Sequence, residues 1–413
     1  MKSLNRWFYA VIGVAVLLFS GMVYAWSVLS SPIAQEFPQW TKAQLSLTFT
    51  IVMMFFCVGC MVGGFIAKKV EAKIYIWISA VLFLAGFFIS SKTQGLTGLY
   101  LGFGVLCGFA SGFSYSAVLG TVGKWFPDKQ GLISGILLMG FGISSFIIGK
   151  IYQAATPSEI GGWRGSFLVL GIVIAIAFAV CGFFVVKPGS DFKVEAGAKQ
   201  KKMYVNPVAM ELPTKDMLKE ASFWLFYLWA ILVSAGGLTV TSQAGGIARE
   251  VGSDINAGTI ATAVGLISVA NGVSRVIMGG MYDKVGRSKI MQAVNLLFIL
   301  AGAVLLLALS AKSFALIVLG FIIGGVAYGG VTPTNSAFIS NYFGMKNYPL
   351  NLSMVNTNLL IASFGSTVAG ALYDRTQSFT NACIMIIVLA ALGILASFGI
   401  NMADKKKLAK MGK

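Results

Sequence analysis

A single arginine, Arg275, interrupts a stretch from Gly258 to Tyr282 that carries no other charge. A guanidinium presents two parallel N–H donors that match a carboxylate, and in apolar surroundings it is strongly destabilising without an anion. One helical turn earlier stands Asn271, whose side-chain oxygen is placed to orient it. All fourteen Asp and Glu fall in loops or at the ends of apolar runs, and the chain has no His. Arg275 and Asn271 therefore point to the binding of an anion. Catalysis would need a constellation of nucleophile, base or metal ligands, which this sequence lacks, so no enzyme is expected. The five cysteines, Cys57, Cys60, Cys107, Cys181 and Cys383, all lie in apolar runs. Cys57 and Cys60 have redox spacing but sit mid-run without a histidine, so neither a metal nor a cofactor is expected.

The elements that must position Arg275 follow from composition. With 57% hydrophobic and 11% charged residues and a mean hydropathy of +0.83, the chain is excluded from the soluble class. A helix crossing the hydrocarbon core needs roughly 20 apolar residues. Twelve stretches satisfy this: Trp7–Leu29, Ala43–Ala67, Ile74–Ser90, Leu96–Thr121, Gly131–Gln153, Trp163–Val186, Phe223–Ala244, Gly258–Tyr282, Ile290–Leu309, Phe314–Phe338, Leu350–Tyr373 and Thr380–Met402. The first follows Lys2 and Arg6 like a secretory signal, but its apolar region is too long and its removal would leave an odd number of spans.

Net charge of +17 suggests a nucleic-acid partner until the cations are placed. With a cytoplasmic N-terminus, 23 of the 31 Lys and Arg lie on that side and 7 on the other. That is the positive-inside asymmetry, so the basicity is topological and nucleic acid is not a partner. Both termini are then cytoplasmic, with the basic tail Lys405–Lys413 near the inner leaflet. The longest hydrophilic stretch, Lys187 to Ser222, carries Pro188, Pro207, Pro213 and seven lysines and reads as a solvated linker. The division is an N-terminal bundle over 1–187, a linker over 188–221 and a C-terminal bundle over 222–413.

Repetition refines this. After the second, fifth, eighth and eleventh spans come Gly64-Phe65-Ile66-Ala67-Lys68-Lys69, Gly149-Lys150-Ile151-Tyr152, Gly280-Met281-Tyr282-Asp283-Lys284 and Gly370-Ala371-Leu372-Tyr373-Asp374-Arg375. Each half is thus two three-helix units, an architecture suited to alternating access about a midplane site.

These residues resemble a family. Gly280, Asp283, Lys284, Gly286 and Arg287 match the GxxxD(R/K)xG(R/K) loop signature of the major facilitator superfamily, where the loop governs conformational change. The first-half copy is degenerate, with Lys68 at the usual aspartate. Lys124-Trp125-Phe126-Pro127-Asp128-Lys129-Gln130-Gly131-Leu132-Ile133-Ser134-Gly135 looks like the loop between spans four and five of the oxalate/formate antiporter family, and Asn341–Tyr348 is its counterpart. With Tyr24-Ala25-Trp26 in span one, the resemblance covers nearly the whole chain and extends to the monocarboxylate transporters. It implies an all-α integral membrane fold of twelve helices in two pseudo-symmetric six-helix bundles, monomeric, in the cell inner membrane.

Arg275 sits on a small or polar stripe, Gly265, Ser268, Asn271, Gly272 and Gly279, that should face the bundle interior. Snorkelling to the cytoplasmic surface, roughly 10 Å away by helical rise, is the alternative. The resemblance implies that Asn271 and Arg275 bind the substrate carboxylate. Spans one, four and ten carry Tyr24, Tyr115 and Tyr328 away from their ends, where they could wall a cavity; the resemblance supports all three. Glycines on the same stripes are read as packing positions. Oxalate-exchanging members carry a second cation in span eleven, and alignment on Phe364-Gly365 puts Asn358 there. One positive charge suits a monoanion such as formate, acetate, lactate or pyruvate. No membrane-embedded carboxylate or histidine is available for a proton relay, which leaves carboxylate exchange or symport of a proton with the substrate, the latter favoured by the resemblance. A drug exporter of the same superfamily is the rival, and it would be expected to place an acidic residue in the membrane.

Overall fold

The computed structural model describes residues 5–66, 69–126, 130–189, 206–252, 254–344 and 346–410. Lys68, Pro127–Lys129, most of the linker (190–205), Met345, the side chain of Asp283 and the last three residues lie outside the described residues. Twelve helices are long and apolar enough to cross a membrane. They are α1 (Arg6–Glu36), α2 (Lys42–Ile66), α3 (Ala72–Ser91), α4 (Leu96–Trp125), α5 (Gly135–Ala155), α6 (Trp163–Gly182), α7 (Ala221–Val251), α8 (Ala257–Tyr282), α9 (Arg287–Ala311), α10 (Phe314–Phe343), α11 (Leu350–Thr376) and α12 (Thr380–Ala409). No strand occurs among the described residues. An all-helical architecture is the only one open to such a chain short of a closed barrel, because buried backbone N–H and C=O groups must bond within their own segment.

Several helices outrun their apolar stretches. α1 continues past Leu29 through Pro32 to Glu36, and α7 and α12 each gain about two turns. Backbone hydrogen bonding continues where hydropathy stops, so composition marks the hydrocarbon depth and not the helix end.

Because the helices alternate in direction, Arg6, Trp125, Ala221, Tyr282, Leu350 and Ala409 share one face of the bundle. We call this the terminal face; Glu36, Lys42, Val251, Ala257 and Thr376 define the far face.

Close backbone approach organises both sets of six helices. A Cβ on Gly112 of α4 would lie 1.9 Å from the carbonyl oxygen of Phe56 in α2, and one on Gly329 of α10 would lie 2.3 Å from that of Asn271 in α8. The same pairing, second helix on fourth, recurs six helices later as α8 on α10. Serines join α1 to α4: the Ser20 and Ser114 hydroxyls are 2.7 Å apart, and Ser111 donates to the Ser20 carbonyl at 2.6 Å.

Between the two sets, α5 runs along α8 and α2 along α11. The linker is not free throughout. Met210 and Leu212 donate backbone N–H groups to the carbonyls of Tyr342 and Phe343 at the end of α10, and the Glu211 carboxylate accepts from the Lys346 amide at 2.7 Å. Thr214 bonds Asn351 at 2.6 Å. Composition alone suggests a solvated stretch, but its backbone satisfies carbonyls that α10 leaves open at its C-terminus.

Gly112→Leu would drive a side chain into the α2 backbone, which cannot yield as a rotamer can. The expected loss is about 3 kcal/mol or more, seen as a lowered unfolding midpoint in detergent.

Candidate functional site

Three local departures from regular α-helix place the site. Gly21–Ala25 in α1 winds as a 3-10 turn, Tyr100–Cys107 in α4 as a π-helix, and α11 is interrupted around Thr357 and Ser363. Irregular winding inside a helix commonly marks hinges and functional positions. In α1 the cause is visible: a Cβ on Gly21 would sit 2.3 Å from the Phe141 carbonyl, so α1 presses on α5 there. Tyr24, in the tightened turn, is thereby aimed at the middle of the bundle.

Arg275 is buried, 2% exposed, which rules out the snorkelling arrangement. Its Nε donates to Asn271 Oδ1 at 2.8 Å, the expected orienting bond. Its guanidinium carbon lies 5.9 Å from the ring centroid of Phe141 in α5, in cation–π range. No carboxylate among the described residues forms an ion pair with it. The hydroxyls of Tyr24, Tyr115 and Tyr328 all lie within its electrostatic reach.

The three tyrosines come together around Phe141 and one another. Tyr24 and Tyr328 share a hydrogen bond of 3.2 Å between hydroxyls, joining α1 to α10. Phe141 is the hub: its ring lies 5.4 Å from Tyr24, 5.3 Å from Tyr115 and 5.7 Å from Phe56. Sequence reasoning passes over Phe141. Its flanking glycines are the signal that could find it, since a Cβ on Gly142 would meet the Gly272 Cα at 3.0 Å and Asn271 Oδ1 at 3.2 Å. Glycines on both sides let α5 and α8 cross closely enough to bring a ring beneath the guanidinium.

Asn358 is placed differently. It is buried, but its Nδ2 donates to the Val355 carbonyl of its own helix at 2.7 Å, and its segment packs on α7 and α2 rather than α8. Its Oδ1 is buried without a partner. Between this segment and the tyrosines stands Cys57 of α2, whose thiol donates to the Asn356 carbonyl. A separate hollow of about 330 Å³ lies between α8 and α10, lined by Leu266, Val269, Val273, Ile277, Met278 and Ile322. Val273 and Ile277 are exposed, so it opens on the lipid-facing surface, and it lacks the polarity an anion needs.

In the loop between α8 and α9, Gly286 has φ +80°, a conformation that only glycine takes without strain, and it turns the chain straight into α9. Arg287 follows, 4% exposed. It donates to Tyr342 Oη at 2.9 Å, Asn401 Oδ1 at 2.6 Å and Asp404 Oδ2 at 3.0 Å, pinning the terminal-face ends of α9, α10 and α12 together. Lys284 points outward, and Gly280 has open space around it.

The model of the Major Facilitator Superfamily matches residues 11–248 and again 236–412. The chain belongs to the major facilitator superfamily. It is a multi-pass membrane transporter and not an enzyme. Among similar sequences are the oxalate:formate antiporter of Oxalobacter formigenes, 26% identical over 83% of this chain and 80% of that protein, and an uncharacterized transporter of the superfamily, YhjX of Escherichia coli, 25% identical over 87% and 86%. Human monocarboxylate transporter 12 is 32% identical over 29% of this chain and 23% of its own. The fold is shared with a bacterial homolog of the human lysosomal transporter Spinster in an inward-facing, unoccupied conformation, at TM-score 0.70 and 12% identity over 98% of each chain. A mutant form of the nucleoside transporter NupG superposes equally well, at TM-score 0.70 and 11% identity, over 97% of this chain and all of that one. The superfamily fold thus accommodates unlike cargo, and the side chains around Arg275 must decide what this member takes.

Arg287→Ala would strip Asp404 and Tyr342 of a buried cationic partner. The expected cost is about 3 kcal/mol, measured as a shift in the denaturation midpoint of the purified transporter.

Proposed function

We propose that this transporter carries small monocarboxylates of the formate, acetate, lactate or pyruvate type, bound through Arg275. One observation carries the reading: a buried guanidinium whose Nε is engaged by Asn271 and whose outer nitrogens meet no carboxylate among the described residues. With Nε engaged, the Nη edge is left to take the two oxygens of a carboxylate in parallel bonds. Tyr24 and Tyr328 supply hydroxyls to orient the anion, while Tyr115 and Phe141 wall the site against water. A single cation favours a monoanion. Asn358, neutral and directed into its own helix, adds no second charge. The similarity to an oxalate:formate antiporter and to monocarboxylate transporters supports the substrate class.

In this reading residues 1–187 and 222–413 are two bundles that rock about the midplane, joined by 188–221, with both termini cytoplasmic in the cell inner membrane. The chain works as a monomer, and the substrate brings a proton with it, since neither His nor a carboxylate lines the cluster around Arg275. Carboxylate exchange is the second reading, favoured by the antiporter relative. A drug exporter would use an intramembrane acid, and none interrupts the apolar spans of this chain.

The test is uptake into proteoliposomes across a panel of labelled carboxylates, with and without a pH gradient. Arg275→Ala and Arg275→Lys should both reduce uptake by about a hundredfold or more, the lysine because it loses the planar fork. Undiminished flux in Arg275→Ala would refute the assignment. Dependence on a pH gradient separates symport from exchange, which would instead require carboxylate on the opposite side.

A further inference from the structure

The fourth copy of the repeated motif, Gly370 to Arg375, has no counterpart in the binding chemistry, and its position is informative. It ends α11 on the far face, against the first turn of α2. Asp374 Oδ1 accepts the backbone N–H of Lys42 at 3.1 Å and Oδ2 accepts that of Ala43 at 3.0 Å. A carboxylate of the second set of helices thus takes two first-turn N–H groups of a helix in the first set, beside the local capping pair of Thr41 and Gln44. Gly370, one turn earlier, makes this possible: a Cβ there would lie 3.0 Å from the Lys42 carbonyl and 3.1 Å from the Ala43 amide nitrogen. Glycine lets the backbones meet, and aspartate four residues on closes over the exposed N–H groups.

The second copy behaves as its counterpart. Lys150, beside Gly149 at the far end of α5, donates to the Gly258 carbonyl at 3.1 Å and to the Thr262 hydroxyl in the first turns of α8. The two far-face copies therefore both cross between the sets of helices, one onto α2 and one onto α8. On the terminal face the matching glycine of α2, Gly64, leaves more room: a Cβ there would lie 3.9 Å from Ser353 of α11.

Other hydrogen bonds between the sets, among the described residues, follow the same gradient. Arg249 to Ser31, Gln243 to Ser46 and Thr50 to Ser363 and Thr367 lie in the far half, and Tyr24 to Tyr328 at mid-depth. The thiol of Cys57 on the Asn356 carbonyl lies nearer the terminal face. The far side is therefore the closed one. Among these crossing bonds, those of Asp374 are the ones made by a carboxylate.

We infer that Asp374 is a latch between the two sets of helices: its carboxylate holds the first turn of α2 and keeps the far face closed, and breaking those two bonds releases α2 so that this face opens. Both oxygens act as acceptors and lie at the positive end of the α2 dipole, so the carboxylate stabilises the closed arrangement. A change that removes either bond therefore shifts the population toward the far-open state. The side chains of Lys42 and Arg249 bring positive charge to the latch, while Glu250 is occupied by Ser378 and the Phe379 amide. The inference rests on the alternating-access part of the proposed function and not on the identity of the substrate.

The experiment is a distance measurement between spin labels in substrate-free, full-length protein in lipid nanodiscs. Labels go on Gln39 and Ser310, both exposed on the far face, with Cys181, the one native cysteine that is only half-buried, changed to serine. The native residue at 374 should give a mostly short distance. Asp374→Ala should raise the long-distance fraction roughly tenfold, the loss of one helix cap. Asp374→Asn, which keeps one acceptor oxygen and loses the charge, should fall between the two. Lys42→Pro removes one donor while suiting the first helical position, and should raise the open fraction without touching the carboxylate. An Asp374→Ala or Lys42→Pro distribution equal to that of the native protein would overturn the latch. Neither outcome depends on whether Arg275 binds a carboxylate.

Discussion

A guanidinium at mid-depth in an apolar bundle constrains everything around it. Its charge is strongly disfavoured there unless nearby groups compensate. Here the compensation is shared: Asn271 accepts from Nε, the face of Phe141 offers its quadrupole, and three tyrosine hydroxyls lie within its electrostatic reach. These partners come from α1, α4, α5, α8 and α10, so the helices must converge at one depth. The convergence is achieved by removing side chains, with Gly21, Gly142, Gly272 and Gly329 at the crossings.

The pseudo-symmetry of the chain makes the asymmetry of the site informative. Equivalent helix pairs, α2 with α4 and α8 with α10, pack through the same kind of glycine contact. Yet the cation belongs to the second set alone, and the first set answers with aromatic rings. An anion held between them would touch both sets at once, which is the condition for its binding to bias their relative arrangement. Charge on one side and rings on the other also keep the site neutral once a monoanion is bound.

The two faces of the bundle are built differently. On the terminal face the polar network is internal to the second set: Arg287 gathers Tyr342, Asn401 and Asp404, and the docked linker segment holds the end of α10. On the far face, polar contacts run across the sets, from α11 to α2, from α5 to α8 and from α7 to α1 and α2. A network inside one set moves with it as a rigid body, whereas a network across the sets must break for that face to open. The loop residues around Gly286 therefore act on the integrity of one bundle, and the repeats after α5 and α11 on the relation between the bundles.

Much of this was legible in the residues. Hydropathy reports transfer from water to lipid, a property of each stretch by itself, so twelve helices, their alternation and the isolation of Arg275 were all readable locally. Asn271 was readable because one helical turn fixes its distance from Arg275. Tyr24, Tyr115 and Tyr328 were legible as polar aromatics away from helix ends. Tertiary structure alone decided what depends on contact between distant helices. Phe141 is an ordinary apolar residue until α5 crosses α8. Asn358 is polar and buried yet turned into its own helix, and the second part of the linker docks because α10 ends beside it. The closure of the far face could not be read either, since the same motif copies serve an open or a closed face. Sequence spacing sets which groups share a helix face; which face meets which is set by the packing of all twelve.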